Sequence, residues 1–226
     1  MSIMKPTLLP LVVLLAANAN AALITGITVE SGTTNPFNTE PMGPAKAING
    51  EGLPGGLPAL SGAHGTSFNQ QWWSFPPSTL AQITINLNGI FEIDTIHVWN
   101  YNEGGVTGRG LRNVEIFVSP DANPANLVQL FTSGAGLHDN GSGNFLLPQA
   151  PGQASYTGFD LDLSSVTNAA LLDNVRLVQF KAIDAYDPTA GFGLAEVQFG
   201  GAAVVPEPST ALLAGLAGIA LLRRRR

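Results

Sequence analysis

Apolar and polar residues alternate with a period of two along much of the central chain. Ile83-Thr84-Ile85-Asn86-Leu87 sets three apolar side chains on one face, and Asn88-Gly89 follows as a turn signal. Phe91 to Trp99 predicts a second strand, with Ile96 and Val98 on one face and His97 and Trp99 on the other. Val114, Ile116 and Val118 form the inward face of a third. Arg176 to Phe180 is a near-continuous apolar run of the kind a central strand shows. Leu194 to Phe199 closes the series, with Val197 and Phe199 facing in. The only helical candidate is a short one near Ser164 to Leu172. Residues 31–73 and 133–158 are rich in Gly, Pro, Asn and Ser and are expected to be loops. Loops of that length inside a compact domain are usually functional or held by a ligand. The pattern predicts an all-β fold, two antiparallel sheets packed as a sandwich or jelly roll.

Both ends of the chain have a different character. Lys5 supplies a positive charge, Leu8 to Ala17 is apolar, and Ala19-Asn20-Ala21 offers a small-x-small cleavage site. Residues 1–21 read as a secretory signal peptide, the apolar run being too short for a first membrane span. At the other end Val204 to Arg226 reads Val-Val-Pro-Glu-Pro-Ser-Thr, then an uncharged stretch from Ala211 to Leu222, then four arginines. Pro206 and Pro208 hold an extended backbone, so a short apolar helix is expected to begin only after them. Arg223 to Arg226 do not enter hydrocarbon cheaply and are expected on the cytoplasmic side. Three readings stand: a buried helix, a permanent tail anchor and a transient, processed anchor, the last preferred. The chain then divides into a signal peptide at 1–21, one folded domain at 22–203 and a sorting or anchoring segment at 204–226.

Composition narrows the function of the middle part. Of ten Lys and Arg only five lie outside the two end segments, against fifteen of the sixteen acids, for a domain charge near −10. Nothing builds a basic stripe for phosphate backbones, so nucleic acid is disfavoured as a partner, and anionic membrane equally so for the domain itself. The chain has no cysteine. Disulfides, thiol nucleophiles and thiolate zinc are excluded, and an exported domain without them is held by core burial, to which a metal ion can add. Charged residues make up 12% and apolar ones 45%, with 26 glycines and 16 prolines, which suits short strands joined by tight turns.

The segment from Val205-Pro206-Glu207-Pro208-Ser209-Thr210 through the apolar run to the arginines resembles the PEP-CTERM sorting domain of Gram-negative bacteria. The resemblance covers about a tenth of the chain. It implies recognition by an exosortase, a membrane cysteine protease or transpeptidase, with Pro206, Glu207 and Pro208 in the signal. It also implies transient anchoring in the inner membrane and export to the cell surface, the outer membrane or an extracellular polysaccharide matrix.

The middle of the chain carries a second resemblance. Ala45-Lys46-Ala47-Ile48-Asn49-Gly50-Glu51-Gly52 is followed by Trp73-Ser74, the Ile83 strand and Ile96-His97-Val98-Trp99-Asn100-Tyr101-Asn102-Glu103. Arg109-Gly110-Leu111-Arg112-Asn113-Val114-Glu115-Ile116 comes next, and Gly193-Leu194-Ala195-Glu196-Val197-Gln198-Phe199 closes the domain. In order and spacing this is similar to the discoidin, or coagulation-factor type C, domain of the galactose-binding-like superfamily of jelly rolls. The resemblance implies one structural calcium ion between Ala47, Asn49, Gly50 and Glu51 of the early loop and Glu196 of the last strand. Asn49 stands where that family usually has Asp, and the lost charge weakens such a site. The alternative is that Asn49-Gly50 is only a turn, with Glu196 capping loop amides.

Trp99, Tyr101, Asn102, Glu103 and Arg109 form a candidate ligand face, which Trp72, Trp73 and His64 of the early loop can join. Aromatic faces against sugar C–H surfaces, with amides and a guanidinium for hydroxyls, suit carbohydrate. The structural alternatives are that Trp99 plugs the sandwich, Trp73 is core, and Arg109 pairs with Glu103 or Asp184. Catalytic signals are weak: no Gly-x-Ser-x-Gly, His-Glu-x-x-His or P-loop occurs, and His64, His97 and His138 sit in dissimilar contexts. Asp160 with Asp162 and Asp184 with Asp187 are the acid pairs a glycoside hydrolase would need. The expected function is a non-enzymatic surface or matrix protein that binds polysaccharide; the alternatives are a purely structural matrix component and a glycan-active hydrolase.

Overall fold

A computed structural model describes residues 21–33, 42–74 and 81–204. Ten strands run through them: β1 (Ala22–Leu23), β2 (Thr28–Gly32), β3 (Trp72–Ser74), β4 (Gln82–Asn100), β5 (Asn113–Ser119), β6 (Val128–Leu130), β7 (Phe145–Leu146), β8 (Phe159–Asp160), β9 (Val175–Ala182) and β10 (Phe192–Ala203). Every pairing between these strands is antiparallel. The ladder runs β1-β10-β4-β9-β5-β6, with β2 and β8 on β4, β3 on β10 and β7 on β5. The all-β jelly-roll expectation holds.

β4 is the hinge of the architecture. Its first half, Ile83 to Asn86, lies between β2 and β9. Its second half, from Phe91 onward, pairs with β10, and His97 and Val98 also meet β8. The expected turn at Asn88-Gly89 is therefore a bend that carries one strand from the first layer into the second. Asn88 takes the left-handed conformation at φ 57°. Its amide donates to Gly26 O at 2.7 Å and Thr28 Oγ1 at 3.1 Å, while its N–H donates to Asn86 Oδ1 at 2.9 Å. Asparagine tolerates that conformation because its short side chain bonds locally.

Both layers send apolar side chains into one core. Ile83, Ile85, Val114, Ile116, Val178 and Phe180 come from the first layer, and Ile96, Val98, Val197 and Phe199 from the second. These are the alternating positions seen in the sequence, and burial of each is worth about 1.5–3 kcal/mol. The expected helix over Ser164 to Leu172 is not one. The segment makes two 3-10 turns, Leu163–Ser165 and Ala169–Asp173. Between them Val166 bridges to Thr132, and the Thr167 N–H donates to Phe131 O at 2.8 Å, which draws the chain out of helical register. The expected loops also contain structure: β3 and a 3-10 turn at Pro44–Ala47 in the first, β7 in the second. No helix among the described residues is long and apolar enough to cross a membrane. The expected C-terminal apolar helix and the signal peptide's residues 1–20 lie outside the described residues.

Candidate functional site

Loops converge where β4 ends and β10 begins, and two buried asparagines fasten them. Asn100 donates to Leu111 O at 2.7 Å and Pro148 O at 2.9 Å. Asn102 donates to His64 O at 3.1 Å and Gln153 O at 2.8 Å, and accepts from Gly152 N at 3.0 Å. Its own N–H donates to Gln71 Oε1 at 2.6 Å. Asn102 is thus a knot between three loops, with no exposed surface. Trp99 and Tyr101 are also fully buried. Trp99 packs with Leu53 and Ala195, donates to Gly62 O at 3.0 Å and meets His97 edge-on at 4.1 Å. The structure therefore removes Trp99, Tyr101 and Asn102 from direct reach of a ligand: the loops that the sequence suggested would carry a ligand instead cover these side chains.

The surface of this end belongs to Arg109, Glu103 and Trp73. Arg109 lies in a 3-10 turn, Thr107–Arg109, and its guanidinium sits 4.4 Å from the centre of the Trp73 ring. Its Nη1 donates to Glu103 Oε2 at 2.8 Å, and the Tyr101 hydroxyl donates to the same oxygen at 2.6 Å. The side chains of Arg109 and Glu103 are 22% and 26% exposed. Arg109 thus pairs with Glu103, while Asp184 holds Asn113 through its N–H at 2.8 Å and its amide at 2.9 Å. Burial, then the Glu103 bond, pushes the Tyr101 phenol far above its ordinary range, so it stays a neutral donor. Trp73 donates to Ala190 O at 3.0 Å. Gly191 and Gly193 let the rings in: a Cβ would lie 2.3 Å from Trp73 Nε1 at the first and 2.5 Å from Tyr101 Cδ2 at the second.

The Glu196 region is a separate centre. Glu196 is fully buried, and both its oxygens accept from Gly50 N–H, at 3.1 and 3.0 Å. Gln198 donates to Glu196 and, at 3.0 Å, to Ile48 O. Burial outweighs these bonds and pushes the Glu196 carboxyl up to about 8. Gly50 adopts φ 71°, and a Cβ there would lie 2.2 Å from Pro58 N. Asn49 and Glu51 face a different partner: Glu51 accepts from Lys46 and from Asn49 Nδ2 at 3.3 Å, and donates its N–H to Asn49 Oδ1 at 3.0 Å. Ala47 is buried beside them in the core. Among the described residues no three acidic or histidine side chains converge as metal ligands. The donor chemistry at Glu196 still suits a hard cation. Its partners are neutral, and Gln198 Oε1, next to it, is a buried acceptor without a hydrogen-bond partner. Gln198 was missed in the sequence because a glutamine in a strand carries no ligand signature.

The histidines and acid pairs serve the loops. His97 bonds Asp160 at 2.6 Å and Thr157 O at 2.9 Å. His64 bonds Gly65 O at 2.8 Å, and His138 Nδ1 accepts from Asp162 N at 3.2 Å. Burial holds the imidazoles of His64 and His138 below the usual histidine range. Asp162 caps Ser164 N at 3.1 Å and Asp187 caps Thr189 N at 3.0 Å. Trp72 is core and donates to Thr33 O at 2.9 Å. Pro206, Glu207 and Pro208 lie outside the described residues.

Comparison with known proteins agrees with this picture at two levels. Residues 204–226 match the PEP-CTERM protein-sorting motif, which implies export through exosortase processing, with membrane anchoring beforehand. No curated protein matches the chain. Among solved structures, an F5/8 type C domain from Bacteroides fragilis aligns with a TM-score of 0.53 and 14% identity, over 83% of this chain and 99% of that one. CpGH89CBM32-5 from Clostridium perfringens, solved with GalNAc-β-1,3-galactose, aligns at 0.47 and 15% identity, over 80% and 99%. A family 89 glycoside hydrolase from the same organism aligns at 0.46 and 18% identity, over 83% of this chain but 16% of that one. The chain has the discoidin-like, F5/8 type C fold.

Proposed function

We propose that this chain is an exported, exosortase-processed surface or extracellular-matrix protein whose jelly roll binds polysaccharide without catalysis. The observation that carries the reading is the Arg109–Glu103 pair seated on Trp73 at the loop end. A fixed guanidinium supplies donors and the carboxylate supplies acceptors within the footprint of one sugar ring. The pair is neutral as a unit and matches a neutral sugar with adjacent hydroxyls better than an anionic one, as does the acidity of the domain.

The test is a pull-down with neutral and anionic polysaccharides, using the processed extracellular form. Arg109→Ala and Trp73→Ala are each expected to lower retention on a neutral polymer at least tenfold while the chain stays folded. Arg109→Lys should restore little, since lysine lacks the planar fork. Unchanged retention in both folded variants would place the site elsewhere. No retention of the unmodified chain on any polymer would favour the structural matrix component, a reading that the burial of Trp99, Tyr101 and Asn102 supports.

We also propose a structural calcium ion at the Glu196 loop. Glu196 and Gln198 would be the side-chain donors, Ala47 a carbonyl donor, and Asn49 and Glu51 would turn inward from their contact with Lys46. Titration of the chelator-treated chain with calcium, read by thermal unfolding, tests it; no shift in Tm at millimolar calcium would remove the ion.

A further inference from the structure

The two ends of the folded domain hang from one rim. β1 runs antiparallel to the end of β10, Ala22 opposite Gly201 and Leu23 opposite Gly200. β10 ends at Ala203, opposite Phe91, and the Val204 N–H still donates to Ile90 O at 2.9 Å. The chain therefore enters and leaves beside the β4 bend. The other end of β10 begins at Phe192 and Gly193, which pair with Ser74 and Trp73 under the Arg109 loop. Twelve residues of strand, eleven steps at a rise of about 3.3 Å, place the two ends up to about 36 Å apart.

The tether between this rim and the sorting segment is short. Four residues, Val205 to Pro208, separate Val204 from Ser209, where the apolar stretch is approached. Five Cα steps reach at most about 17 Å. Ile90 and Val204, 40% and 38% exposed, stand together on the rim. Glu92 and Asp94 beside them are also exposed, so the rim has no charge attraction to anionic lipid, and the tether alone imposes the approach.

We propose that, while the sorting segment is in the bilayer, the Ile90–Val204 rim faces the phospholipid headgroups and the Arg109 end points away from the membrane. The proposal rests on the anchoring that the sorting motif implies and is independent of the carbohydrate reading. Anything that approaches from the exported side of that membrane then meets the loop end first, before the chain is released.

The chain has no cysteine, so a single introduced thiol is a unique label site. Ile90→Cys marks the rim and Gly104→Cys the exposed loop after β4. The full chain, labelled with a fluorophore, is reconstituted in phosphatidylethanolamine–phosphatidylglycerol vesicles carrying a headgroup-attached quencher. Quenching at Ile90→Cys is expected to exceed that at Gly104→Cys several-fold. Glu92→Cys against Thr189→Cys should repeat the contrast with the Ile90 side chain intact. Equal or reversed quenching in both pairs overturns the orientation. Failure of the full chain to associate with vesicles overturns the anchoring beneath it, whatever the polysaccharide assay shows.

Discussion

Glu196 is a buried carboxyl group with two hydrogen bonds from one backbone amide and one from the Gln198 amide. Its ordinary value is 4.5 and the fold raises it to about 8. A raised carboxyl supports the fold fully below the unfolded value and loses that support as pH climbs through the folded one. With a chelator present, Tm should therefore fall between about pH 5 and pH 8, and Glu196→Gln should flatten the profile. Parallel profiles in the two chains would refute a protonated Glu196. Calcium at pH 7 should restore Tm in the unmodified chain and not in Glu196→Gln. Arg109 poses a milder test of stability. It and Glu103 are about three-quarters buried, so Arg109→Ala leaves the Glu103 carboxylate short of a partner and should cost about 1–3 kcal/mol by denaturant unfolding. A larger loss would mean that Arg109 chiefly holds the loops.

At the scale of the element, Gly193 shows what a strand accepts. A Cβ there would stand 2.5 Å from Tyr101 and 2.8 Å from Trp72 O, the second a rigid backbone atom. Gly193→Ala should destabilise by about 1–3 kcal/mol, measured as a fall in the denaturation midpoint. The strands themselves were legible because period-two alternation survives in Ile83–Leu87, Val114–Val118 and Val197–Phe199, where one face meets the core. The joins were not. Asn88-Gly89 has the composition of a reversal, and only its bonds to Gly26 and Thr28 make it a bend. β10 extends past the expected stop at Phe199 because Gly200 and Gly201 lie flat against Thr95 and Glu92. The burial of Trp99 and Tyr101 was hidden for a related reason. Trp99 and Tyr101 sit at a strand end, where sequence cannot tell an exposed aromatic from one covered by a distant loop. Arg109 keeps part of its side chain at the surface, in a turn whose flanking Gly108 and Gly110 lie close against Asp187 and Asn100.

For the whole molecule, the short tether sets a condition on processing. A protease takes its substrate extended, and residues held in a ladder must first open. Ala203 is paired with Phe91, and Val204 is bonded to Ile90, two residues before Pro206. Cleavage near Pro-Glu-Pro then competes with the last pairs of β10. Inserting about ten Gly and Ser residues between Val204 and Val205 should speed conversion to the shortened extracellular form, followed by intact mass over time. The same insertion lengthens the reach of the rim from the bilayer and should weaken headgroup quenching at Ile90→Cys. Faster processing with unchanged quenching would mean that the rim holds the membrane by its own apolar surface. Unchanged processing would mean that Ala203 and Val204 open faster than the protease acts, or that the cut lies far enough downstream for the fold not to matter.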